Sequence, residues 1–93
     1  MALLTGPEID RALQDVPAWT RTGAVLRRTL AFDSFAAAIA FVNRVAALAD
    51  QVDHHPDIDI RYKEVTFALS THSAGGLTAR DFAVAAGIDR LHA

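Results

Sequence analysis

Two of the four histidines in this chain, His54 and His55, stand side by side directly before Pro56. A proline disfavours the α conformation in the residue ahead of it, so a helix that precedes this pair should end near His55. A third histidine, His72, follows the last predicted strand. An imidazole has an ordinary pKa near 6.5 and gives or takes a proton near neutral pH. If the fold brings these corners together, three imidazoles share one cleft suited to acid–base chemistry.

Two carboxylates are candidates to orient these rings. Asp50 stands four residues before His54, which places both on one helix face if the helix extends that far. We therefore expect Asp50 to orient the His54 ring or to favour its protonated form. Asp81, at the start of the last predicted helix, is expected to do the same for His72. A helix cap is the simpler role for Asp81, because acidic side chains favour the first turn of a helix.

A metal site is the main rival to acid–base chemistry, because imidazole is a common ligand for zinc. The spacing argues against it, since adjacent residues tend to point apart and the H-E-x-x-H pattern is absent. The chain has no cysteine, which excludes a thiolate site and a disulfide framework. No serine lies in a strand-turn-helix elbow of the kind that carries a nucleophile. We expect neither a metal nor another cofactor.

The elements that must position these residues begin with a short helix and a hairpin. Thr5, Gly6 and Pro7 predict the start of a helix over roughly residues 8 to 14, which Pro17 stops. The segment from residue 19 to residue 32 is typical of a hairpin with its turn at Thr22 and Gly23. Its apolar face carries Leu26, Leu30 and Phe32, with the charged Arg28 on the same face.

The strongest helix pattern follows the hairpin, with Asp33 as its expected N-cap. Apolar residues recur at three-and-four spacing along it, at Phe35, Ala38, Ile39, Val42, Val45, Ala46 and Ala49. Two further strands are predicted by the alternating apolar residues Ile58, Ile60 and Tyr62, and then Val65, Phe67 and Leu69. Thr78 and Asp81 predict a capping box for a last helix, in which Gly87 should favour fraying of the C-terminal end. His92, near the end of the chain, is expected to be a surface residue.

The order helix, two strands, helix, two strands, helix predicts one two-layer α+β domain over residues 1–93. Hairpins favour an antiparallel sheet, so we expect four antiparallel strands with the helices packed on one face. The other face or an edge of the sheet is then left for another subunit. The chain is 52% hydrophobic and only 22% charged, which also favours a homo-oligomer, a dimer or a tetramer.

Charge and hydropathy exclude several classes of function. The net charge is −2, and the nine basic residues are scattered, so no basic stripe is available for direct nucleic-acid binding. No segment approaches the ~20 apolar residues of a membrane span, and no signal peptide is evident. Without cysteines the chain suits a reducing compartment, and we expect a cytoplasmic protein.

The run DQVDHHPDIDIRYKEVTFALSTHSAGGLTARD resembles the pterin-4a-carbinolamine dehydratase family. The matching positions are an acidic residue four before the first histidine, the pair before proline, an aromatic residue, a later histidine and a final Asp: Asp50, His54, His55, Pro56, Tyr62, His72 and Asp81. The resemblance extends upstream to Trp19 and covers roughly residues 17 to 91. Family members often carry Glu in place of Asp50 and an aromatic residue in place of Ile58.

The resemblance implies a dehydratase that removes water from 4a-hydroxytetrahydropterin and gives quinonoid dihydropterin, in support of tetrahydropterin recycling. His54 and His72 are then expected to act as acid and base, and His55 to hold substrate or the leaving water. Asp50, Asp81 and Trp19 are expected to bind substrate or to support the site. The alternative is a pterin-binding or protein-interaction module, since animal members also serve as dimerisation cofactors of a homeodomain transcription factor.

Overall fold

The computed structural model describes residues 2–93 and divides them into helices and strands in the predicted order. The α-helices are α1 (Gly6–Leu13), α2 (Phe35–Val52) and α3 (Ala79–His92). The strands are β1 (Thr20–Thr22), β2 (Val25–Ala31), β3 (Asp57–Arg61) and β4 (Glu64–Leu69), and a short 3-10 turn covers His72–Ala74.

The four strands form one antiparallel sheet in the order β1-β2-β4-β3. Side chains on alternate sides of β2 and β4 separate a core face from an open face. The core face carries the buried residues Leu26, Leu30, Val65, Phe67 and Leu69. On the open face Thr29 and Thr66 pair across the two strands, with their hydroxyl oxygens 2.8 Å apart. The predicted α+β fold is confirmed.

Helix α2 packs on the core face through Ala38, Phe41, Val45 and Ala49, and the Phe41 ring meets Phe67 edge to face at 6.0 Å. The helix has 18 residues and a mean hydropathy of 1.3, so by length and composition it could cross a membrane, contrary to the expectation from the sequence. A helix that builds a protein core meets the same criterion. The buried stripe of α2 shows that it belongs to the core of this domain.

Gly87 of α3 lies against Leu48 of α2. A Cβ atom at this position would stand 2.8 Å from Cδ2 of Leu48, so the absent side chain lets the two helices approach. α3 continues past Gly87 to His92, and the expected fraying of its C-terminal end stays a prediction. The His92 ring is exposed as expected, yet it also lies edge-on to Phe32 and Phe41 at 6.0 and 5.8 Å.

Asp89 explains how Arg28 fits on the apolar side of the hairpin. Its Oδ1 atom accepts a hydrogen bond from the Arg28 guanidinium at 2.5 Å and another from the Trp19 indole at 2.8 Å. Trp19 itself is 4% exposed. The two donors come from the hairpin and the acceptor from α3, so this cluster joins the sheet to the last helix.

Three local predictions differ from the structure. Ser34, and not Asp33, caps α2, because its hydroxyl accepts the Ala37 amide at 3.0 Å. Tyr62 lies in the turn after β3 with φ of 54°, so the predicted strand ends one residue earlier, at Arg61. The first helix begins at Gly6 and ends at Leu13.

Candidate active site

The C-terminal end of α2 determines where the adjacent histidines point. Asp53 adopts the left-handed conformation, with φ 52° and ψ 45°. The His54 amide donates to the Ala49 carbonyl at 3.1 Å, and the Asp53 amide donates to the Asp50 carbonyl at 3.4 Å. These two bonds form a Schellman motif, which ends the helix at Val52, four residues before Pro56 and earlier than the predicted end near His55.

This turn places the imidazoles of His54 and His55 in different environments. The His54 side chain is 10% exposed, whereas the His55 side chain is 56% exposed. Nε2 of His55 donates to Oδ1 of Asp50 at 2.9 Å. The predicted pairing of Asp50 with His54 is wrong, because the helix ends before His54 and its four-residue periodicity no longer applies. Asp50 is 80% exposed and orients the outer histidine.

Asp81 forms the buried partner of His54. Its Oδ1 atom accepts from Nε2 of His54 at 2.7 Å, and its Oδ2 atom accepts from the Thr71 hydroxyl at 2.8 Å and the Thr78 amide at 2.9 Å. The Thr78 hydroxyl donates to the Thr71 oxygen at 2.9 Å and accepts from the Arg80 amide at 3.3 Å. Both oxygens of this buried carboxylate therefore have hydrogen-bond partners. The predicted capping box is confirmed, but the predicted partner of Asp81, His72, is wrong.

The bond to Asp81 also fixes the role of each nitrogen on the His54 ring. A carboxylate only accepts, so Nε2 carries the proton in this contact. Nδ1 forms no hydrogen bond, and among residues 2–93 no buried side-chain nitrogen or oxygen lacks a partner. Nδ1 therefore reaches solvent. His54 is held on one side by a buried carboxylate and presents its other nitrogen outward, an arrangement suited to proton transfer.

All three predicted histidines line one cleft of about 300 Å³ at the ends of α2 and β4. His72 reaches it from the start of the 3-10 turn, which a bridge between Thr71 and Gly76 closes. The volume lies at the lower end of the range for small-molecule sites. The complete lining is Asp53, His54, His55, Ser70, Thr71, His72, Ser73 and Arg80.

Several residues of the cleft were not predicted, and three predicted ones do not line it: Trp19, Asp50 and Asp81, of which Asp81 lies buried behind His54. Asp53 and Arg80 are the unpredicted charged groups, and each stands directly before a predicted site residue in the sequence. Trp19 does not line the cleft, because its indole is held in the core by Asp89. Asp50 contacts the outer side of His55 and is not a wall of the cleft.

The same histidines and carboxylates are also the side chains from which a metal site could be built. Across residues 2–93, no group of three or more histidine, aspartate or glutamate side chains is arranged to hold a metal ion. Each of the two histidines with a carboxylate partner uses Nε2 for that partner. These contacts give hydrogen-bonded dyads, in which the carboxylate orients the ring.

The sequence profile of the family described as Pterin 4 alpha carbinolamine dehydratase matches residues 2–91. The chain belongs to this family of pterin dehydratases. A Nocardia farcinica relative named for the same dehydratase is 58% identical over 89 residues, which cover 96% of this chain and 94% of the relative. A Mycobacterium tuberculosis relative named in the same way is 53% identical over 91 residues, covering 98% of this chain and 97% of the relative.

Two solved structures resemble the chain in fold. A Brucella melitensis protein described as a transcriptional coactivator/pterin dehydratase has a TM-score of 0.94 and 29% identity, covering 99% of this chain and 100% of that chain. A pterin dehydratase-like protein identified as a RuBisCO assembly factor in the alpha-carboxysome has a TM-score of 0.64 and 28% identity. That match covers 78% of this chain and 84% of the other.

Proposed function

We propose that the chain is a hydro-lyase that eliminates water from 4a-hydroxytetrahydropterin to give quinonoid dihydropterin, and that it supports tetrahydropterin recycling. The observation that carries this proposal is the convergence of three histidines on one cleft, one of them bonded to a buried carboxylate. Membership of the pterin dehydratase family supplies the substrate class.

The reaction needs one acid and one base. A base removes the proton from the ring nitrogen N5, and that electron pair forms the N5=C4a double bond. The C4a–O bond breaks at the same time, and an acid protonates the departing hydroxide to water. The two proton transfers balance, and no electron is gained or lost. Positioned side chains of this kind typically contribute about 10²- to 10⁴-fold to a rate.

His54 is the proposed base. Its Nδ1 atom is open to solvent, and the carboxylate of Asp81 on the other nitrogen stabilises the imidazolium that forms when Nδ1 takes a proton. His72 is then the proposed acid that protonates the leaving hydroxyl. His55 holds the substrate or the leaving water, with its ring fixed by Asp50. Asp81 is thus a positioning residue for the base.

Asp53 and Arg80 are proposed to hold the pterin ring. The ring presents an N–H and an amino group on one edge, which match the two oxygens of a carboxylate such as Asp53. It also carries a carbonyl oxygen, which an Arg80 N–H can reach as a donor from the same cleft. Two such contacts orient the reacting carbon between the histidines.

The competing proposal is a binding module that lacks dehydratase activity. The coactivator description of the Brucella melitensis protein and the assembly-factor description of the carboxysome protein belong to those proteins. The proposed base and acid, His54 and His72, both line the cleft of this chain, and this supports the enzyme over the binding module. We also propose that it acts in the cytoplasm as a homodimer or homotetramer without contacting nucleic acid, and light scattering tests its assembly.

The decisive experiment measures the disappearance of a freshly generated 4a-carbinolamine with and without the protein. We expect acceleration over buffer, and a rate at least about tenfold lower for the His72→Ala variant. Arg27→Gln is a matched control, because Arg27 is exposed on the open face of the sheet. A rate equal to that in buffer would leave only the binding module.

A further inference from the structure

A second cavity, of about 190 Å³, opens between α2 and α3 on another side of His54. Its apolar walls come from Leu48 and Val52 on α2 and from Ala83 and Val84 on α3. We call this cavity the interhelix crevice. Its volume exceeds the roughly 150 Å³ of an apolar cavity known to bind benzene, so it can accept one aromatic ring.

The interhelix crevice adjoins the histidine cleft, because His54 and Arg80 line both cavities. The proposed proton transfers use no atom of the crevice beyond His54. A substrate whose ring lies in the cleft can therefore extend a substituent past these two residues into the crevice.

Two arginines give the crevice its charge. Arg80 and Arg90 both line it, both are exposed, and neither forms a salt bridge with any residue from 2 to 93. The nearby carboxylates have other partners, since Asp89 accepts from Arg28 and Asp81 accepts from His54. Apolar walls with two unneutralised guanidinium groups suit a ligand that has an apolar stem and a carboxylate end.

We infer that the interhelix crevice binds the substituent at C6 of the pterin and favours an aromatic stem that ends in a carboxylate over a small neutral group. The inference rests on the proposed function for the position of the pterin ring. Arg90 pairs with the carboxylate, and Ala83 leaves the space that the aromatic stem fills. The chain thereby selects among pterins that share the same reacting ring.

The test compares two stable 7,8-dihydropterins, one with a methyl group at C6 and one with a (4-carboxyphenyl)aminomethyl group. Fluorescence titration gives the Kd of each, so the readout does not depend on turnover. We expect the carboxylate-bearing ligand to bind at least about tenfold more tightly, since a charge-assisted hydrogen bond and the burial of a ring both contribute.

Three variants separate the contributions. Arg90→Gln should reduce the preference for the carboxylate-bearing ligand at least about fivefold, and Ala83→Leu should abolish it by filling the crevice. Arg27→Gln, the matched control on the open face of the sheet, should keep the full preference. Circular dichroism of each variant shows whether α3 is still folded.

The outcomes separate the proposed dehydratase function from the proposed binding of the C6 substituent in the interhelix crevice. Equal Kd values for the two ligands overturn the inference, and if dehydration is still accelerated, the proposed function remains. A clear preference without any acceleration removes the dehydratase and leaves the crevice as a binding site. If Ala83→Leu lowers the molar mass in light scattering and no preference is found, a second copy of the chain occupies the crevice, and the inference fails.

Discussion

The carboxylate of Asp81 and the imidazole of His54 meet across 2.7 Å, although 27 residues separate them in the chain. Asp81 is fully buried, and the His54 side chain is 10% exposed. A charge-assisted bond in such a site is strong, and loss of one partner leaves the other without compensation. The exposed pair of Asp50 and His55 has similar geometry but stands in water, where such pairs contribute little.

Replacement of Asp81 by Asn should lower both activity and stability. The amide of the introduced Asn would place an N–H donor against the Thr71 hydroxyl or the His54 ring, each of which also donates. This mismatch should lower the free energy of unfolding by about 2 kcal/mol and the Tm by roughly 8 to 16 °C. We expect kcat to fall at least about tenfold, because the His54 ring is no longer oriented by a carboxylate and its imidazolium is no longer stabilised. Thermal unfolding and the pH profile of kcat/KM check this.

The matched control is Asp50→Asn, which changes an exposed carboxylate on His55. It should shift the Tm by no more than a few degrees, since an exposed pair contributes about 0 to 1 kcal/mol. A lower Tm for Asp81→Asn with an unchanged kcat and pH profile would reduce Asp81 to a structural role.

Replacement of His72 by Ala should separate activity from folding. His72 is exposed on the 3-10 turn, so the Tm should stay within a few degrees while kcat falls at least about tenfold. His54→Ala should lower both quantities, because it removes a donor from the buried Asp81 at a cost of about 1 to 3 kcal/mol. Unchanged turnover in His72→Ala would exclude His72 as the acid.

Replacement of Asp53 by Gly should stabilise the chain and weaken pterin binding. The left-handed conformation costs a non-glycine residue roughly 1 to 2 kcal/mol, and glycine removes that cost, so the Tm should rise by several degrees. The carboxylate is lost from the cleft, and KM should rise. Asp53→Asn tolerates the same backbone, so a raised KM without the raised Tm is expected for it. An unchanged KM in both variants would place Asp53 outside the binding contacts.

Glu8 makes the start of α1 sensitive to acid. Its carboxylate accepts the Thr5 amide at 2.8 Å, and this backbone hydrogen bond, followed by the one with the Thr5 side chain, lowers the pKa of Glu8 below its ordinary value of 4.5. Because the pKa of Glu8 is lowered in the folded state, its ionised carboxylate stabilises the chain at pH values above the ordinary pKa. This stabilisation is lost as pH falls through the folded-state pKa. Glu8→Gln should therefore lower the Tm slightly at pH 7, and the difference from the unchanged chain should shrink as pH falls below the ordinary pKa of 4.5. A pH-independent difference in thermal scans would contradict this.

The order of elements and the capping box at Thr78 were predictable, because local periodicity and side-chain capping determine them. The turn of the first hairpin also lies where Gly23 indicated, with φ of 58°. Such features depend on residues close in the chain. The shared cleft of the three histidines was predicted on a different ground, because each follows the end of a helix or strand and such ends can converge in the fold.

The pairing of carboxylates with histidines could not be predicted from spacing. It depends on a left-handed residue at Asp53, and aspartate adopts that conformation far less often than glycine. One such residue rotates His54 away from the face of Asp50. The buried contact of Asp81 with His54 joins two distant segments, and only the packing of α3 against α2 brings them together.

Strand β3 lies at an edge of the sheet and alternates charged with apolar residues: Asp57, Ile58, Asp59, Ile60 and Arg61. Charges on an exposed edge oppose the unlimited strand addition that leads to fibrils. In an antiparallel pairing centred on Ile60, the Asp59 of each copy faces the Arg61 of the other. Such a pairing would close this edge in the proposed homodimer and leave it unavailable to an open polymer.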